Sequence, residues 1–467
     1  MNTNRLSTWL LAIGLLLVIG CKDNKPTPIT PEPETEEYIV LKGDLSTQTL
    51  TADKKYLLEG VVYVRNGQTL TIQAGTLIAG EKKSKGTLVI DRGAKLIAKG
   101  TPEKPIIFTS NQAAGDRDRG DWGGLVILGR ARVNLDSPGI EGLEENIVYG
   151  GEDDDDSSGE LEYVRVEFAG IELTPNNETN GITLGGVGRG TKFEHIMVSY
   201  GGDDGFEWFG GCVNGKYLIS LGTWDDCFDM DNGFSGNLQF GLSIRYPSYA
   251  DQSDSNGFEW DTDGQNNLER FHTTATVSNF TILGPAIDNN SYSANYKYGT
   301  DLRRNVAASL YNSVIVGFPT AFRMNQSSVF PNYANGIGEI ANNIYYAKNT
   351  AIVSGSDVTV TEIATYFEEN DNIIKAGTEY QTSDAYQELG LKSDCFFGKR
   401  LHTQYPSNPD FTVANGLLAN GAKFDYPRFS EALRTDHFDK TVSFRGAFGN
   451  TDWTDGWTNF DPINAEY

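Results

Sequence analysis

The segment from residue 68 to residue 100, QTLTIQAGTLIAGEKKSKGTLVIDRGAKLIAKG, contains two copies of one short pattern. Within each copy apolar residues alternate with other residues, which places one face of a β-strand inward. The glycines mark the corners between strands. The residues that recur 18 positions later are Thr69, Leu70, Ile72 and Gly75, which return as Thr87, Leu88, Ile90 and Gly93. Self-similarity at about 20 residues indicates a solenoid with one coil per repeat.

Similar short apolar runs continue along the chain. They are too short for the hairpins of a β-sandwich and favour an all-β, right-handed parallel β-helix. Equivalent positions on successive coils of such a helix lie about 4.8 Å apart and form ladders. The runs lie at residues 123–134, 161–170, 180–187, 192–202, 215–222, 275–284 and 308–318.

The amino-terminal residues are typical of a secretory signal. Arg5 precedes an apolar run from Trp9 to Ile19, which is shorter than the about 20 apolar residues that cross a bilayer. Val18-Ile19-Gly20-Cys21 resembles the lipobox of bacterial lipoproteins. This resemblance implies cleavage before Cys21, acylation of its thiol and attachment to a membrane surface. The alternative is an ordinary signal peptide with an incidental cysteine.

The segment after Cys21 is rich in Pro, Thr and Glu and lacks apolar periodicity, which is typical of an extended tether. No second linker of this composition follows. Near the other end, residues 361–370 and 429–438 have helical spacing, and the Trp-rich residues 451–460 are suited to packing against the last coils, whose strand edges need a cap. We predict a signal peptide at 1–20, a tether at 21–43, a parallel β-helix at 44–350 and a C-terminal capping region with short helices at 351–467.

The formal charge is −25, with 63 acidic and 38 basic residues. Phosphate binding needs the opposite sign, so nucleic acid is not an expected partner. Divalent cations and neutral or cationic ligands are compatible with this charge. After lipidation three cysteines remain, of which Cys212 and Cys227 could pair in an oxidising compartment, although an odd count defines no disulfide framework.

A cluster of carboxylates repeats 22 positions apart. The phrase Asp-Asp-small-Phe-acid occurs within GGDDGFEWFGG (201–211) and again within TWDDCFDMDNG (223–233). On adjacent coils these phrases should stack, with Phe206 beside Phe228, and SNGFEWDTDG (255–264) should join from the next coil but one or two. Like charges at that spacing repel and raise one another's pKa unless a cation or basic groups intervene.

We therefore predict a Ca²⁺ site on this ladder, because Ca²⁺ takes six to eight oxygen ligands and accepts mixed carboxylates, carbonyls and amides. The alternative is a set of carboxylates that cap turn amides on a solvated edge. The candidate metal ligands are Asp204, Glu207, Asp226, Asp229, Asp231, Glu259, Asp261 and Asp263.

Several long motifs resemble a known family. DWGGLVILGRA (121–131), residues 201–236, LRRNVAASLYNSVIVGFP (302–319), FRGAFG (444–449) and WTDGWTNFDP (453–462) resemble β-helix surface lipoproteins of Bacteroidota, companions of TonB-dependent outer-membrane receptors. The resemblance covers nearly all of the mature chain. It implies a pectin-lyase-like fold and a lipid-anchored location on the outer membrane, exposed at the cell surface, and it implies no reaction.

Two classes of function remain. Aromatic platforms beside polar groups suit sugar rings, although stacked aromatics also fill a coil interior, and arginines of the same groove also serve as salt-bridge partners of the acidic ladder. We predict a non-catalytic envelope lipoprotein that binds a glycan or other nutrient as an accessory to TonB-dependent uptake. The predicted ligand-binding residues are Trp208, Trp224, Trp260, Arg303 and Arg304.

The alternative is a Ca²⁺-dependent carbohydrate-active enzyme. WDDCFDMDNG (224–233) resembles the Asp-Asp-Cys motif of polygalacturonases, and paired carboxylates can act as general acid and base. That family also needs a Gly-His-Gly and an Arg-x-Lys segment downstream, and neither context surrounds the four histidines of this chain. A polysaccharide lyase would instead need Ca²⁺ and a basic residue such as Arg303 or Arg304. The sequence designates no catalytic residue.

Overall fold

The computed structural model describes residues 38–467 except 137, 141–142, 144–146, 175–176, 288–290, 356, 381, 432 and 435. Residues 1–37, which include the predicted signal peptide, Cys21 and most of the predicted tether, lie outside the described residues. Within the described ranges, no helix combines the length and the apolar character needed to span a bilayer.

The chain forms a right-handed parallel β-helix, which confirms the predicted fold class. Among the described residues, twenty-four strands belong to one continuous sheet, and β11 pairs with β12 in a separate antiparallel pair. In chain order the strands are β1 Ile39–Leu45, β2 Gln48–Leu50, β3 Lys55–Val64, β4 Thr69–Ile72, β5 Leu77–Gly80, β6 Thr87–Ile90, β7 Lys95–Lys99, β8 Ile106–Ser110, β9 Gly124–Leu128, β10 Gly159–Glu167, β11 Glu172–Thr174, β12 Asn177–Glu178, β13 Ile182–Gly185, β14 Lys192–Ser199, β15 Phe206–Phe209, β16 Gly215–Leu221, β17 Phe228–Asp231, β18 Asn237–Ile244, β19 Phe258–Trp260, β20 Thr276–Leu283, β21 Tyr298–Leu302, β22 Ser309–Tyr311, β23 Val314–Met324, β24 Ile340–Ala341, β25 Ile344–Ser354 and β26 Ile373–Ala376.

Successive coils pair along three faces, and one of these carries the acidic repeats. We call it the site face, and it consists of β6, β9, β13, β15, β17, β19 and β21, paired in that order and all parallel. The described helices are α1 Val329–Ala334, α2 Val360–Glu369 and α3 Thr382–Gln387, with 3₁₀ turns at Gly377–Glu379, Ser393–Cys395, His402–Gln404 and Pro427–Ser430.

The alternation of residues decides what faces the interior. On the site face Phe206 and Phe228 point inward, both are fully buried, and their ring centroids lie 5.5 Å apart at an interplanar angle of 13°. Phe258 continues this stack 5.9 Å from Phe228. Neighbouring side chains in a strand point to opposite sides, so Glu207 and Asp229 point outward. The predicted stack of Phe206 on Phe228 is confirmed.

The 18-residue repeat does not correspond to one coil. Thr69 pairs with Lys95, whereas Thr87 pairs with Val61 of the preceding coil and Gly124 of the next. The two copies of the pattern therefore lie on different faces. A short apolar strand followed by a glycine occurs on more than one face of a coil, so self-similarity alone does not distinguish the next face from the next coil.

The last coils are covered by α2. Its capping box joins Thr359 and Glu362, and its buried Phe367 contacts Phe322 and Tyr345 of the last coils at 4.7 and 5.6 Å between ring centroids. The predicted helix at 361–370 is thereby confirmed. The helix expected at 429–438 is wrong, because the described residues there form only turns after a 3₁₀ turn.

The Trp-rich tail lies along the middle coils and not, as expected, on the last ones. Tyr163, His195 and Tyr217 from three successive coils stack at 4.3 and 4.4 Å between ring centroids. Trp457 packs edge-on against Tyr163 and His195, and Trp453 packs on Tyr217. The stacked rings of this column provide the apolar surface on which the indoles pack.

The cysteines of the described part of the chain are not paired. Cys212, Cys227 and Cys395 are buried free thiols. The disulfide between Cys212 and Cys227 that the sequence left open is therefore not formed in this structure.

Candidate functional site

The outward side chains of the site face form a ladder of carboxylates. Pairing aligns Thr183 with Glu207, Glu207 with Asp229 and Asp229 with Glu259. Asp301 follows on the next coil. The predicted stacking of the two acidic phrases is confirmed, and Glu259 joins from the directly adjacent coil rather than from one further along.

A second ladder runs through the turn that precedes these strands. The Asn180 side chain accepts a hydrogen bond from the amide of Asp204 at 3.3 Å, and Asp204 Oδ1 accepts from the amide of Asp226 at 2.7 Å. Asp226 Oδ1 accepts from the amide of Asn256, whose own Oδ1 accepts from the amide of Tyr298 at 3.0 Å. Each side chain thus caps an amide of the next coil, so turn capping accounts for one oxygen of Asp204 and one of Asp226.

Each asparagine of this second ladder also donates a hydrogen bond, which the aspartates do not. Asn180 Nδ2 donates to Glu207, and Asn256 Nδ2 donates to Glu259 Oε2 at 2.9 Å. A carboxylate cannot donate such a bond when it is ionised. Asparagine at positions 204 and 226 would therefore keep the cap and remove a charge, so the fold itself does not require these two aspartates.

The aspartates bring carboxylate oxygens together in overlapping groups. The candidate ligand atoms of Asp204, Glu207 and Asp229 lie within 4.8 Å of one another, as do those of Asp226, Asp229 and Glu259. Asp229 belongs to both groups, and its Oδ1 is inaccessible to solvent and has no hydrogen-bond partner. Sets of oxygen ligands from several residues suit Ca²⁺.

Burial and mutual repulsion keep these groups from ionising freely. Burial is the larger cause and the neighbouring carboxylates the second, and together they raise the pKa of four groups well above the usual range: Asp204, Asp226, Asp229 and Glu259. The same causes raise the pKa of Asp231 to about 7. A divalent cation would compete with the protons for these oxygens.

Arginines neutralise the far end of the ladder. Arg303 Nη1 lies 2.6 Å from Glu259 Oε1, and Arg303 Nη2 lies 2.6 Å from Asp261 Oδ2. Arg304 Nη1 also lies 2.6 Å from Asp261 Oδ2. Arg303 and Arg304 are therefore salt-bridge partners of the ladder, as the sequence had allowed, and Arg303 directs Nε, Nη1 and Nη2 at carboxylates. No such arginine or lysine pair is described for Asp204, Asp226 or Asp229 in the described ranges.

Three predicted metal ligands belong to neither group in the described part of the chain. Asp261 is held by the two arginines, and Asp263 caps its own loop by accepting from the amide of Gln265 at 2.6 Å. Asp231 accepts from the amide of Asn232 at 2.6 Å. Spacing alone placed these carboxylates near the ladder without revealing their local partners.

The structure adds a group that the sequence prediction missed. Candidate ligand atoms of Asp203, Asp204 and Asp225 also lie within 4.8 Å of one another. The doubled aspartates of the two phrases indicate this group in the sequence, but the predicted metal ligands include only the second aspartate of each pair.

Two of the predicted ligand-binding tryptophans cannot reach a ligand. Trp208 and Trp260 are 0 % exposed and lie in the coil interior. Each follows an inward phenylalanine by two positions, so the period of two sends it to the same side. Their prediction as ligand-binding residues is corrected to a role in the core.

Trp224 is half-buried at a turn. Its Nε1 donates to Asp251 Oδ1 at 2.8 Å, and the guanidinium of Arg119 lies 3.3 Å from the centroid of its ring. Tyr249 lies edge-on at 5.9 Å. The indole lines a cavity of about 550 Å³ together with Asp203, Asp225 and Ser253. Trp224 is therefore the predicted tryptophan that a ligand can contact.

A second cavity, of about 480 Å³, opens directly on the ladder, and we call it the ladder cavity. Its lining combines carboxylates, amides, one arginine and two aromatic rings, a mixture that suits a polar ligand with apolar ring faces. Its lining includes Asn180, Thr183, Glu207, Asp231 and Asn232, with Ile140, Tyr149 and Phe209 on one side and Asp263, Gln265 and Arg270 on another.

The chain matches no curated protein and no solved structure. Residues 43–388, which are most of the chain and contain the whole acidic ladder, match the model of one protein family. The match agrees with the parallel coils, and the chain belongs to the family of the pectate-lyase like beta helix domain.

Proposed function

We propose that the protein binds a glycan at the ladder cavity and that a Ca²⁺ ion held by the ladder takes part in binding. One observation carries this proposal: aspartates occupy two positions of a ladder in which asparagine fills the flanking positions and makes the same cap. Charges that the fold does not need, and that repel one another, are expected at functional sites. The expected ligands of the ion are Asp204, Glu207, Asp226, Asp229 and Glu259.

Calcium fits this donor set better than a smaller cation. Ca²⁺ accepts six to eight oxygens in flexible geometry, whereas Mg²⁺ demands a near-ideal octahedron and keeps several waters. The two overlapping groups offer carboxylates from three consecutive coils around the solvent-inaccessible Oδ1 of Asp229. The carboxylate count also suits an ion that must offset several charges at once.

A saccharide fits the two cavities beside the ladder. Trp224 offers a half-buried ring in the cavity of about 550 Å³, and Tyr149 and Phe209 line the ladder cavity. Volumes of this size lie within the range of about 300–1,000 Å³ that is usual for small-molecule sites. Membership in the family of the pectate-lyase like beta helix domain supports a ligand of the carbohydrate class.

We place this binding protein at the outer membrane as a lipid-anchored accessory to uptake. The support is the lipobox-like Val18-Ile19-Gly20-Cys21, the Pro-rich tether after it, and the resemblance to surface lipoproteins that accompany TonB-dependent receptors. In this role the protein presents a glycan or another nutrient at the cell surface to such a receptor. The net charge of −25 argues against a nucleic-acid partner.

A second candidate function is a Ca²⁺-dependent carbohydrate-active enzyme. One observation favours it: Asp231, whose pKa is raised to about 7, lines the ladder cavity and lies two positions from Asp229 on the same strand. A carboxyl group with such a pKa can act as a general acid near neutral pH. A lyase mechanism is less favoured, because Arg303 and Arg304 would have to leave Glu259 and Asp261 to act as a base.

A panel of polysaccharides with Ca²⁺ or with a chelator separates the two functions. Binding is measured for the full panel, and product release is followed as reducing sugar and as unsaturated product at 235 nm. We expect Ca²⁺-dependent binding without product, lost in Asp226→Asn and retained in the surface control Asp116→Asn. Product release that Asp226→Asn abolishes establishes the enzyme instead, and the absence of binding in Ca²⁺ contradicts both functions.

A further inference from the structure

We infer that the ladder cavity accepts the end of a glycan chain or a short saccharide, and not an internal stretch of a long chain. This inference rests on the proposed glycan site. It follows from the way in which two loops and two arginines limit the ladder on different sides.

The first limit lies along the ladder, on the coils before Thr183. The outward residues there are Val89 and Val126, which pair with each other, and Val126 pairs with Thr183. Both valines are 0 % exposed, and they form one apolar cluster with Ile140 and Tyr149 of the loop that follows β9. A chain that follows the ladder in this direction therefore meets a packed apolar wall.

The described residues of that wall make several contacts. Gly139 and Val148 form an antiparallel bridge, and Ile147 is also buried in the apolar cluster. Tyr149 Oη accepts a hydrogen bond from Asn232 Nδ2 at 3.0 Å, which attaches the wall to the coil of β17. Burial of several apolar side chains makes displacement of this wall by a ligand unfavourable.

The second limit is a side wall formed by residues 262–272, and Asn134 joins it to the first. Asn134 Nδ2 donates to the carbonyl oxygen of Thr262 at 2.7 Å and to that of Phe271 at 3.0 Å. Arg270 Nη1 donates in turn to the carbonyl oxygen of Asn134. The amide of Asn134 donates to the carbonyl of Asn232 at 3.0 Å. Asn134 thus connects the loop of the apolar wall, the side wall and the coil of β17.

The third limit lies at the far end of the ladder. Arg303 pairs with Glu259 and Asp261 at this end, whereas the grouped ligand atoms of Asp204 and Asp229 lie on the coils of β15 and β17. Two coils span about 10 Å along the axis. The cavity volume of about 480 Å³ lies in the lower part of the range for small-molecule sites. A short saccharide fits these dimensions, whereas the interior of a polymer would need an opening at both ends.

A glycan array with matched chain lengths tests this inference. The array carries polygalacturonate, alginate and xylan, each as the polymer and as its trisaccharide immobilised through the reducing end, and the full-length protein is applied in Ca²⁺. For each glycan that binds, we expect the trisaccharide and the polymer to bind with equal affinity. In solution, sedimentation should show one protein per polymer chain whatever the length of the chain.

The outcomes separate the inference from the proposed function. Several proteins per polymer, in proportion to chain length, and much weaker binding of the trisaccharide would overturn the inference and leave the glycan site standing. No binding to any glycan would overturn the proposed function and the inference together.

Two variants add a check on the walls. Asn134→Ala removes both hydrogen bonds to the side wall and should weaken trisaccharide binding about tenfold, which corresponds to about 1.4 kcal/mol. Asn349→Ala, an exposed asparagine far along the chain, serves as the matched control and should bind normally. An Asn134→Ala protein that melts like the wild type and binds the trisaccharide with unchanged affinity would overturn the role of the walls.

Discussion

Replacing Asp226 by asparagine should remove the dependence of stability on calcium without weakening the chelated protein. The amide oxygen of the new side chain keeps the cap on the amide of Asn256 that Asp226 Oδ1 provides. Its Nδ2 can donate to a neighbouring carboxylate, as Asn256 Nδ2 donates to Glu259. The substitution therefore changes the charge of the ladder while preserving the geometry of the turn.

The size of the effect follows from the spacing of the carboxylates. The candidate ligand atoms of Asp226, Asp229 and Glu259 lie within 4.8 Å of one another. At an effective dielectric constant of about 20, two ionised groups at that distance repel by about 3 kcal/mol. Asp226 has two such neighbours, and protonation relieves part of the repulsion, so the free energy of unfolding of Asp226→Asn in chelator should exceed that of the wild type by on the order of a few kcal/mol.

The assay is calorimetric unfolding at neutral pH in excess Ca²⁺ and in excess chelator. An ion that binds only the folded state at 100 times its dissociation constant stabilises it by about 2.7 kcal/mol. We expect this gain for the wild type and for the control Asp263→Asn, because Asp263 caps its own loop outside the two groups. We expect no gain for Asp226→Asn.

Two results would refute this reasoning. If the wild type melts at the same temperature in Ca²⁺ and in chelator, the carboxylates are turn caps and the ion must be dropped. If Asp226→Asn is instead destabilised in chelator, the ionised carboxylate contributes to the fold itself, and the comparison with Asn180 and Asn256 fails.

Three further predictions concern other parts of the molecule. The calcium-induced rise in melting temperature should grow as the pH is raised from acid to neutral. Burial and neighbouring carboxylates raise the pKa of the proposed ligands Asp226 and Asp229, so the chelated folded protein loses stability as the pH rises through these raised values, whereas at lower pH protons compete with the ion; a calcium effect that is constant with pH would contradict this. Trp208→Ala should lower the free energy of unfolding by about 3–5 kcal/mol, since the ring is fully buried, whereas Trp224→Ala should weaken glycan binding with a much smaller loss in denaturant unfolding; equal losses of stability would show that Trp224 also belongs to the core. Cys21→Ser should move the protein from the membrane fraction to the soluble fraction after cell fractionation, and continued membrane partition would rule out the lipid anchor.

The fold and the stacking of the acidic phrases could be predicted from the sequence because both depend on local periodicity. Alternation within a strand sends Phe206 inward and Glu207 outward, and the 22-residue spacing matches the pairing of Phe206 with Phe228. The same periodicity contained the correct position of Trp208, which shares the parity of Phe206 and lies in the core. Proximity to the acidic turn predicts a ligand-binding role for Trp208, whereas its parity with Phe206 places it in the core.

Only the tertiary structure decided which carboxylates pair with arginines and which segments line the cavity. Arg303 pairs with Glu259 and Asp261, and Asn134 bonds to Thr262 and Phe271, through contacts between segments that lie far apart in the chain. The 18-residue repeat likewise gave the type of strand and not its partner, since Thr69 pairs with Lys95. Periodicity fixes the side of a strand on which a residue lies, because that follows from the local backbone. The partner of a side chain depends on the corners and loops that bring distant coils together, and these leave no periodic pattern in the sequence.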